Sequence, residues 1–245
     1  DWVASQARLA DALGIERFAA VIGGSLGGMQ AMRWALEYPL RIKHCVVIAA
    51  AMKLSAQNLA FNEVARQAIL SDPDFAEGNY QAMDKVPAQG LALARMVGHI
   101  TYLSDGAMAS KFGRDVRSGS LEQGNEQDVE FQVQSYLRYQ GSQFSGNFDA
   151  NTYISLTSAM ASHDVGRERG GVVKALESIK IPVVVVSIDT DRLFPPRLQV
   201  EISELVPTAE APIVISSDFG HDGFLVEAEA MGDAIRRALH VAGTI

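Results

Sequence analysis

The sequence predicts an α/β fold in which a doubly wound parallel sheet carries an inserted helical segment. Continuous apolar runs, typical of strands that are covered on both faces, occur at residues 45–50 and 182–187. Segments with helical spacing alternate with these runs near both ends of the chain, as β-α-β units require. Between Ser55 and about Asp164 strand signals disappear and helical patterns replace them. We therefore expect a sheet domain formed by residues 1–53 and 166–245, interrupted by a helical lid over residues 54–165.

The individual elements follow from periodicity and from capping residues. Gly14 suits the end of a first helix, Pro39 ends a second, and Ser55 and Asp149 suit the starts of two helices in the insertion. The expected strands cover residues 18–22, 45–50, 182–187 and 213–215. The expected helices cover residues 2–13, the stretch from the glycines to Pro39, 55–70, 87–104, 126–140, 149–161, a stretch ending at Val206, and a last one ending at Leu239. Residues 78–80 and 118–128 are expected to form surface loops.

The composition is that of an ordinary globular enzyme and narrows the choice of partners. The 245 residues are 48% hydrophobic, and the net charge of −8 argues against nucleic acid and acidic membrane surfaces as partners. No apolar run is long enough to span a bilayer. The single cysteine, Cys45, lies within an apolar run, which predicts a buried thiol, no disulfide and a cytoplasmic location. We expect neither a metal site nor a bound cofactor.

A candidate nucleophile lies where the first expected strand gives way to a helix. Gly23 to Gly27 fit the pattern G-x-S-x-G, a sharp strand-to-helix turn that exposes the hydroxyl of Ser25 above a parallel sheet. We expect a Cβ at either Gly23 or Gly27 to collide with neighbouring backbone. The backbone N–H of Leu26, at the helix start, is expected to face a developing oxyanion.

A serine nucleophile needs a base, and the base needs an acid that orients it. His221 follows an expected strand and a glycine, and it is the predicted base. Asp191 is the predicted acid because it lies far enough along its loop to reach the imidazole, whereas Asp189, nearer the strand end, is an alternative that could instead brace the loop. Of the other histidines, His99 is expected to be a hydrogen-bonded packing residue, and the rest to be solvated. Those remaining histidines are His44, His163 and His240.

Six stretches give the chain a specific resemblance. They are GGSLGGMQ at 23–30, RMVGHITY at 95–102, FQVQSYL at 131–137, FDANTY at 148–153, TDRLFPP at 190–196 and GHDGFL at 220–225. The sequence resembles the homoserine O-acetyltransferase family, a branch of the α/β-hydrolase fold. The stretches are spread over nearly the whole chain, and several lie in the insertion, which generic esterases do not share.

The resemblance implies a ping-pong transfer of an acetyl group from the co-substrate acetyl-CoA to the hydroxyl of L-homoserine, a step of methionine biosynthesis. Ser25 matches the family's nucleophile, Asp191 its acid and His221 its base. Arg95 matches an arginine that binds the substrate carboxylate, and Asp222 a residue that contacts the substrate amino group. Taken alone, these two residues would suit a surface ion pair and a helix N-cap. The resemblance also implies a homodimer formed through the lid helices.

The position two residues after the acid bears on the acyl donor. Succinyl-preferring relatives carry an arginine there, which could pair with the extra carboxylate, whereas this chain has Leu193. The sequence therefore favours acetyl, with homoserine O-succinyltransferase, acetylation of serine or another alcohol, and ester hydrolysis as alternatives. A more distant alternative is a non-catalytic hydrolase-like subunit.

The resemblance leaves one part of the family pattern unmatched. Only about 20 residues precede the serine turn, so we expect the first strands of the family's sheet and the loop with the second oxyanion donor to lie outside this sequence. Such a donor stabilises a transition state by about 3–4 kcal/mol. We expect a separate N-terminal chain or segment to complete the sheet, because an exposed edge strand invites aggregation.

Overall fold

The computed structural model describes residues 1–117 and 130–241, which divide into two compact units. Unit 1 comprises Asp1–Leu54 and Ser162–Ile245, and unit 2 comprises Ser55–Ala161. Residues 162–165, expected in the insertion, belong to unit 1 because Val165 donates its N–H to the carbonyl of Met52 at 3.1 Å. The helices of the described residues are, in chain order, α1 Trp2–Ala12, α2 Leu26–Glu37, α3 Ala56–Leu70, α4 Ala88–Tyr102, α5 Asp105–Phe112, α6 Gln132–Ser145, α7 Ala150–Ser162, α8 Val172–Glu177, α9 Pro196–Leu205, α10 Gly223–Val226 and α11 Ala228–Val241.

Unit 1 is built on a parallel sheet whose described strands are β1 Val21–Gly24, β2 Cys45–Ile48, β3 Val183–Ile188 and β4 Ile213–Ile215. The strands lie in the order β1-β2-β3-β4, and each pairs in parallel with the next. Cys45 is opposite both Val21 and Val183, and Val186 is opposite Ile213. The carboxyl ends of all four strands therefore meet at one edge, where Ser25, Asp189 and Ser216 directly follow β1, β3 and β4.

Both faces of this sheet are covered, because alternate residues of each buried strand point to opposite sides. Cys45 and Val47 join one core with Met32 of α2 and Ile202 of α9. Val46 joins the core on the other side, which is closed by three residues of α11. Those three residues are Met231, Ala234 and Ala238. The predicted fold class, an α/β fold with a doubly wound parallel sheet, is thus confirmed.

Unit 2 is helical and has its own core. Ile69 of α3 and Leu91 and Ala94 of α4 are fully buried there. The two helices of the insertion for which the sequence predicts a capping residue are capped as expected. The hydroxyl of Ser55 accepts the N–H of Asn58 at 3.2 Å. The second cap is the carboxylate of Asp149, which accepts the N–H of Thr152 at 2.7 Å and also bonds the hydroxyl of Tyr80.

The structure departs from the sequence prediction in a few places. The first strand is observed at Val21–Gly24 rather than 18–22, because its pairing with β2 sets the register, and Phe18 forms an isolated bridge with Ile42. Helices α5 and α8 were not predicted. The expected loop at 118–128 lies outside the described residues, and so does the start of the helix expected at 126–140. Among the described residues, no helix combines the length and the apolar character needed to cross a bilayer.

Candidate active site

Ser25 occupies a strained turn between β1 and α2. Its backbone has φ 55° and ψ −121°, a left-handed φ that a residue with a Cβ rarely adopts and that costs about 1–3 kcal/mol. The N–H of Ser25 donates to the carbonyl of Ile48 at the end of β2, at 2.9 Å, which ties the turn to the sheet. Leu26 is the first residue of α2, so its N–H lies in the first helical turn, where N–H groups lack an acceptor within the helix.

Two of the glycines around Ser25 are required by close packing. A Cβ at Gly23 would lie 2.1 Å from the carbonyl oxygen of Gly27, and one at Gly28 would lie 2.6 Å from the Cβ of Ala50. The expectation of a similar collision at Gly27 is wrong, because no heavy atom lies within 4 Å of a Cβ placed there. The glycine that the strand–helix contact needs on the helix side is therefore Gly28.

The structure brings three distant side chains of unit 1 into one hydrogen-bonded chain. Nε2 of His221 lies 3.0 Å from Oγ of Ser25, and Nδ1 of His221 lies 2.7 Å from Oδ2 of Asp191. Asp191 and His221 are buried, with 3% and 5% of their surface exposed. Oδ1 of Asp191 accepts the N–H groups of Leu193 and Phe194, both at 2.8 Å, so the loop itself turns Oδ2 toward the imidazole.

Asp189, the alternative acid, has a different role. Its side chain is exposed, and Oδ1 accepts the N–H of Ser217 at 3.0 Å. Asp191 is thus the acid that bonds the imidazole, and Asp189 links the two loops that carry Asp191 and His221.

Two aromatic rings that the sequence analysis did not single out flank the imidazole of His221. The ring centroids of Phe194 and Phe224 each lie 5.3 Å from that of His221. A Cβ at Gly24 would lie 2.6 Å from the ring of Phe224, so this ring also packs on the end of β1. Each phenylalanine follows its polar partner, Asp191 or His221, by three residues, and this spacing in TDRLFPP and GHDGFL is the signal that could have found them.

Asp222 and Leu193 stand next to the hydrogen-bonded chain. Asp222 follows His221 directly, is half-buried and occupies the N-cap position of α10, without a side-chain cap bond. Leu193 is half-buried, and its backbone is fixed by the bond from its N–H to Asp191.

Arg95 lies on α4 of unit 2 and is half-buried among aromatic rings. Its guanidinium carbon is 5.0 Å from the ring centroid of Phe144 and 6.0 Å from that of Tyr102. Burial, together with the neighbouring phenol of Tyr102, raises the pKa of Tyr153, and the positive charge of Arg95 opposes that rise. Within the described part of the chain no carboxylate forms an ion pair with Arg95, so its donors are available to an anion.

Of the remaining histidines, His44 and His99 are buried, His163 is half-buried and His240 is exposed. His99 packs as expected, with its ring 5.6 Å from that of Tyr136, and burial lowers its pKa to about 4. The expectation that His44 and His163 are solvated is wrong. His44 is buried with Nδ1 3.0 Å from the carbonyl of Ala19, and burial lowers the pKa of His163 to about 4. His240 is exposed.

Cys45 is buried as expected, and burial raises the pKa of its thiol to about 12. Among the described residues, no three His, Cys, Asp or Glu side chains are grouped so that they could hold a metal ion.

A serine on a strand–helix turn, bonded to a histidine that is bonded to a buried aspartate, is the arrangement that acyl-transferring and hydrolytic enzymes use. On a parallel sheet, with the three residues in this chain order, it defines the α/β-hydrolase class. The family model described as alpha/beta hydrolase fold matches residues 1–228, and the chain belongs to this family.

Comparison with curated relatives confirms the resemblance to homoserine O-acyltransferases within the α/β-hydrolase family. The chain is 56% identical over 230 residues to a homoserine O-succinyltransferase of Teredinibacter turnerae, covering 92% of this chain and 60% of that one. It is 54% identical over 243 residues to a homoserine O-succinyltransferase of Cellvibrio japonicus, covering 98% of this chain and 64% of that one. The chain thus spans about three fifths of the length of the curated relatives that it matches.

Solved structures agree on the fold. A homoserine O-acetyltransferase from Bacillus anthracis superimposes with a TM-score of 0.88 at 22% identity, over 97% of this chain and 64% of that one. A homoserine O-acetyltransferase from Staphylococcus aureus has a TM-score of 0.72 at 26% identity, over 98% and 63%. An acetylester hydrolase from Corynebacterium glutamicum has a TM-score of 0.82 at 23% identity, over 97% and 66%.

Proposed function

We propose that this chain carries the acyl-transfer site of a homoserine O-acyltransferase, which moves an acyl group from an acyl-CoA to the hydroxyl of L-homoserine. The observation that carries this proposal is the hydrogen-bonded chain from Ser25 through His221 to Asp191. The acceptor, homoserine, is inferred from the relatives that are 54–58% identical. Because those relatives are named homoserine O-succinyltransferases, the first candidate for the donor is succinyl-CoA.

The first half-reaction forms an acyl-enzyme. Nε2 of His221 takes the proton of the Ser25 hydroxyl, and Oγ attacks the thioester carbonyl carbon. The negative charge that develops on the carbonyl oxygen is stabilised by the N–H of Leu26 at the start of α2. The C–S bond then breaks, His221 returns the proton to the leaving thiolate, and free CoA departs. Asp191 keeps the proton of the neutral imidazole on Nδ1 and stabilises the imidazolium.

The second half-reaction repeats these steps with homoserine as nucleophile. His221 takes the proton of the homoserine hydroxyl, whose oxygen attacks the acyl-enzyme, and Ser25 leaves with the proton that His221 returns. Arg95 binds the carboxylate of homoserine, because a guanidinium held between aromatic rings offers parallel N–H donors. Asp222 pairs with the α-ammonium group. Water in place of homoserine would give hydrolysis instead, so the transferase reaction requires that water be kept from the acyl-enzyme.

A second candidate donor is acetyl-CoA, and Leu193 favours it. The bond from its N–H to Asp191 holds this residue beside the acid, and its side chain offers no charge to a succinyl carboxylate. The similarity to homoserine O-succinyltransferases instead favours succinyl-CoA as the donor. The exposed guanidinium of Arg192, in the same loop, provides a cation for the succinyl carboxylate. The two donors are therefore distinguished by Leu193→Arg, which should shift preference toward succinyl-CoA, and Arg192→Gln, which should weaken any preference for it.

One mass-spectrometric experiment tests the proposed function. The protein is mixed with an equimolar pair of succinyl-CoA and acetyl-CoA without acceptor, digested and sequenced. A succinyl or acetyl adduct on the peptide that contains Ser25, released as the O-acyl product when L-homoserine is added, supports the proposal. An adduct that is released to water at the same rate with and without homoserine indicates an esterase, and the absence of any adduct refutes acyl transfer at this serine.

The outer edge of β1 is the place where a further segment would complete the sheet. Apolar side chains next to it, including Leu9, Leu13 and Phe18, line a groove of about 350 Å³, and the first two are 60% and 65% exposed. Because the curated relatives are longer than this chain, we infer that a preceding segment or a separate chain covers this edge and supplies the second oxyanion donor. We also place the protein in the cytoplasm as a homodimer formed through helices of unit 2.

A further inference from the structure

Two neighbouring loops of unit 1 hold the acid and the base, and one hydroxyl bonds them together. Thr190 precedes Asp191, and its hydroxyl donates to the carbonyl of Ser217 while it accepts the N–H of Gly220 at 3.1 Å. A single side chain thus bonds both ends of the turn that leads into His221. Thr190 is half-buried, whereas Asp189, which also bonds Ser217, is exposed.

The turn before His221, residues 217–220, ends in a glycine that directly precedes the base. Gly220 has a left-handed φ of 63°, which glycine adopts without strain. Because glycine has no Cβ, its backbone can also take other conformations unless neighbouring groups hold it. Inside the turn, the hydroxyl of Ser217 accepts the N–H of Phe219 at 3.1 Å. Asp189 of the acid loop bonds the N–H of Ser217 at the start of the turn, at 3.0 Å, whereas the hydroxyl of Thr190 also reaches Gly220, the residue directly before His221. A shift of about 1 Å in this turn would lengthen both bonds of the imidazole, and misplacement on that scale can cost about a hundredfold in rate.

We propose that Thr190 is a positioning residue, whose hydroxyl holds the turn 217–220 so that the imidazole of His221 reaches Ser25 and Asp191 together. This inference rests on the proposed function, because the reach of the imidazole matters only if Ser25 is the nucleophile. The hydroxyl of Thr190 bonds the backbone of Ser217 and Gly220, so it acts through the position of His221. The proposal predicts an effect on the acyl-transfer rate and not on the affinity for homoserine.

The test compares variants that remove or keep the hydroxyl in the full-length protein. Thr190→Val and Thr190→Ala remove it, the second without placing a methyl group against the carbonyl of Ser217, and Thr190→Ser keeps it. Thr208→Val is the matched control, because it removes a threonine hydroxyl that bonds a backbone carbonyl, that of Ile181 at 2.6 Å, away from Asp191 and His221. Each variant is measured for the rate at which a fluorophosphonate labels Ser25, for kcat and KM with homoserine, and for thermal unfolding.

We expect Thr190→Val and Thr190→Ala to lower the labelling rate and kcat together by about tenfold to a hundredfold, since one bonded hydroxyl is lost and two backbone groups lose their partner. The KM for homoserine should change less than twofold, and Thr190→Ser and Thr208→Val should match the wild type within about threefold. If folded Thr190→Ala labels at the wild-type rate, or if Thr190→Ser is as slow as Thr190→Ala, the positioning role is refuted while the proposed function stands. A wild-type protein that the probe leaves unlabelled at Ser25 refutes both.

Discussion

At the scale of a single residue, the tautomer of His221 depends on one oxygen of Asp191. Oδ1 of Asp191 is already occupied by the N–H groups of Leu193 and Phe194, so Oδ2 faces Nδ1 of the imidazole at 2.7 Å. Asp191→Asn would keep the loop bonds but present an amide donor to Nδ1. The imidazole proton would then move to Nε2, which could no longer take the proton of Ser25. We expect kcat/KM to fall on the order of 10⁴-fold with the fold unchanged.

Asp189→Asn is the matched control for that substitution. Asp189 lies two residues away in the same loop, and the amide oxygen of an asparagine can still accept the N–H of Ser217. We expect its kcat/KM to stay within about threefold of the wild type, because only a charge that faces no reacting group is lost. Equal losses in the two variants, measured by steady-state kinetics, would show that the acid has been assigned to the wrong residue.

The glycines beside Ser25 give a second prediction at this scale. Gly28→Ala places a methyl group 2.6 Å from the Cβ of Ala50 and should cost about 1–3 kcal/mol of folding free energy through overpacking. Gly27→Ala meets no atom within 4 Å and should be neutral or stabilise α2 by up to about 1 kcal/mol, since alanine favours helix. Urea unfolding of both variants checks the difference, and a Gly27→Ala variant that is the less stable of the two would contradict it.

At the scale of the element, α4 and α6 together hold the guanidinium of Arg95 among aromatic rings, and no carboxylate of residues 1–117 or 130–241 forms an ion pair with it. Arg95 of α4 stacks near Phe144 of α6, at 5.0 Å, and a planar guanidinium keeps two parallel donors in that position whereas an ammonium does not. Arg95→Lys should therefore raise the KM for homoserine at least about tenfold with a smaller effect on kcat. Arg114→Lys is the control, because Arg114 also lies over a ring, that of Phe131 at 5.3 Å. A similar change of KM in both variants would contradict the assignment of Arg95 as the residue that binds the carboxylate of homoserine.

Elements whose signals are local could be predicted from the sequence. The G-x-S-x-G turn and the caps at Ser55 and Asp149 depend on residues within four positions of one another, and the structure has them as expected. Helix α5 was missed although Ser104 caps it by accepting the N–H of Ala107 at 2.9 Å, because the segment is short and weakly periodic.

Features set by tertiary contacts could not be predicted in the same way. The register of β1 is decided by its pairing with β2 and not by its own apolar run. The burial of His44 against Ala19, the partial burial of His163 near Arg33 and the packing of Phe194 against His221 each depend on a partner that lies at least tens of residues away along the chain. The chemistry of the triad was accessible from motif and chain order, whereas the groups that hold its geometry, Thr190 among them, required coordinates.

At the scale of the whole molecule, one buried and one half-buried histidine make stability depend on pH. Burial first, and the charge of Arg33 next, lower the pKa of His163 to about 4, and burial lowers that of His99 to the same value. An unfolded chain binds these protons with a pKa of about 6.5. Between about pH 6.5 and pH 4 the unfolded state therefore holds more protons, so the free energy of unfolding falls as the pH falls, by at most about 1.4 kcal/mol per pH unit for each histidine.

The substitution His163→Asn should remove one of these two contributions. We expect its free energy of unfolding, measured with urea at pH 7, 5.5 and 4.5, to decline less steeply than that of the wild type, by up to about 1.4 kcal/mol per pH unit. His240→Asn, which replaces an exposed histidine, should leave the slope unchanged. The direction of the effect follows from burial, because burial disfavours the protonated imidazole in the folded state. Above the unfolded pKa the histidine is neutral in both states, so the effect on stability appears only when the pH falls below that value. A His163→Asn variant with the wild-type slope would mean that His163 takes up its proton in the folded protein as readily as in the unfolded chain.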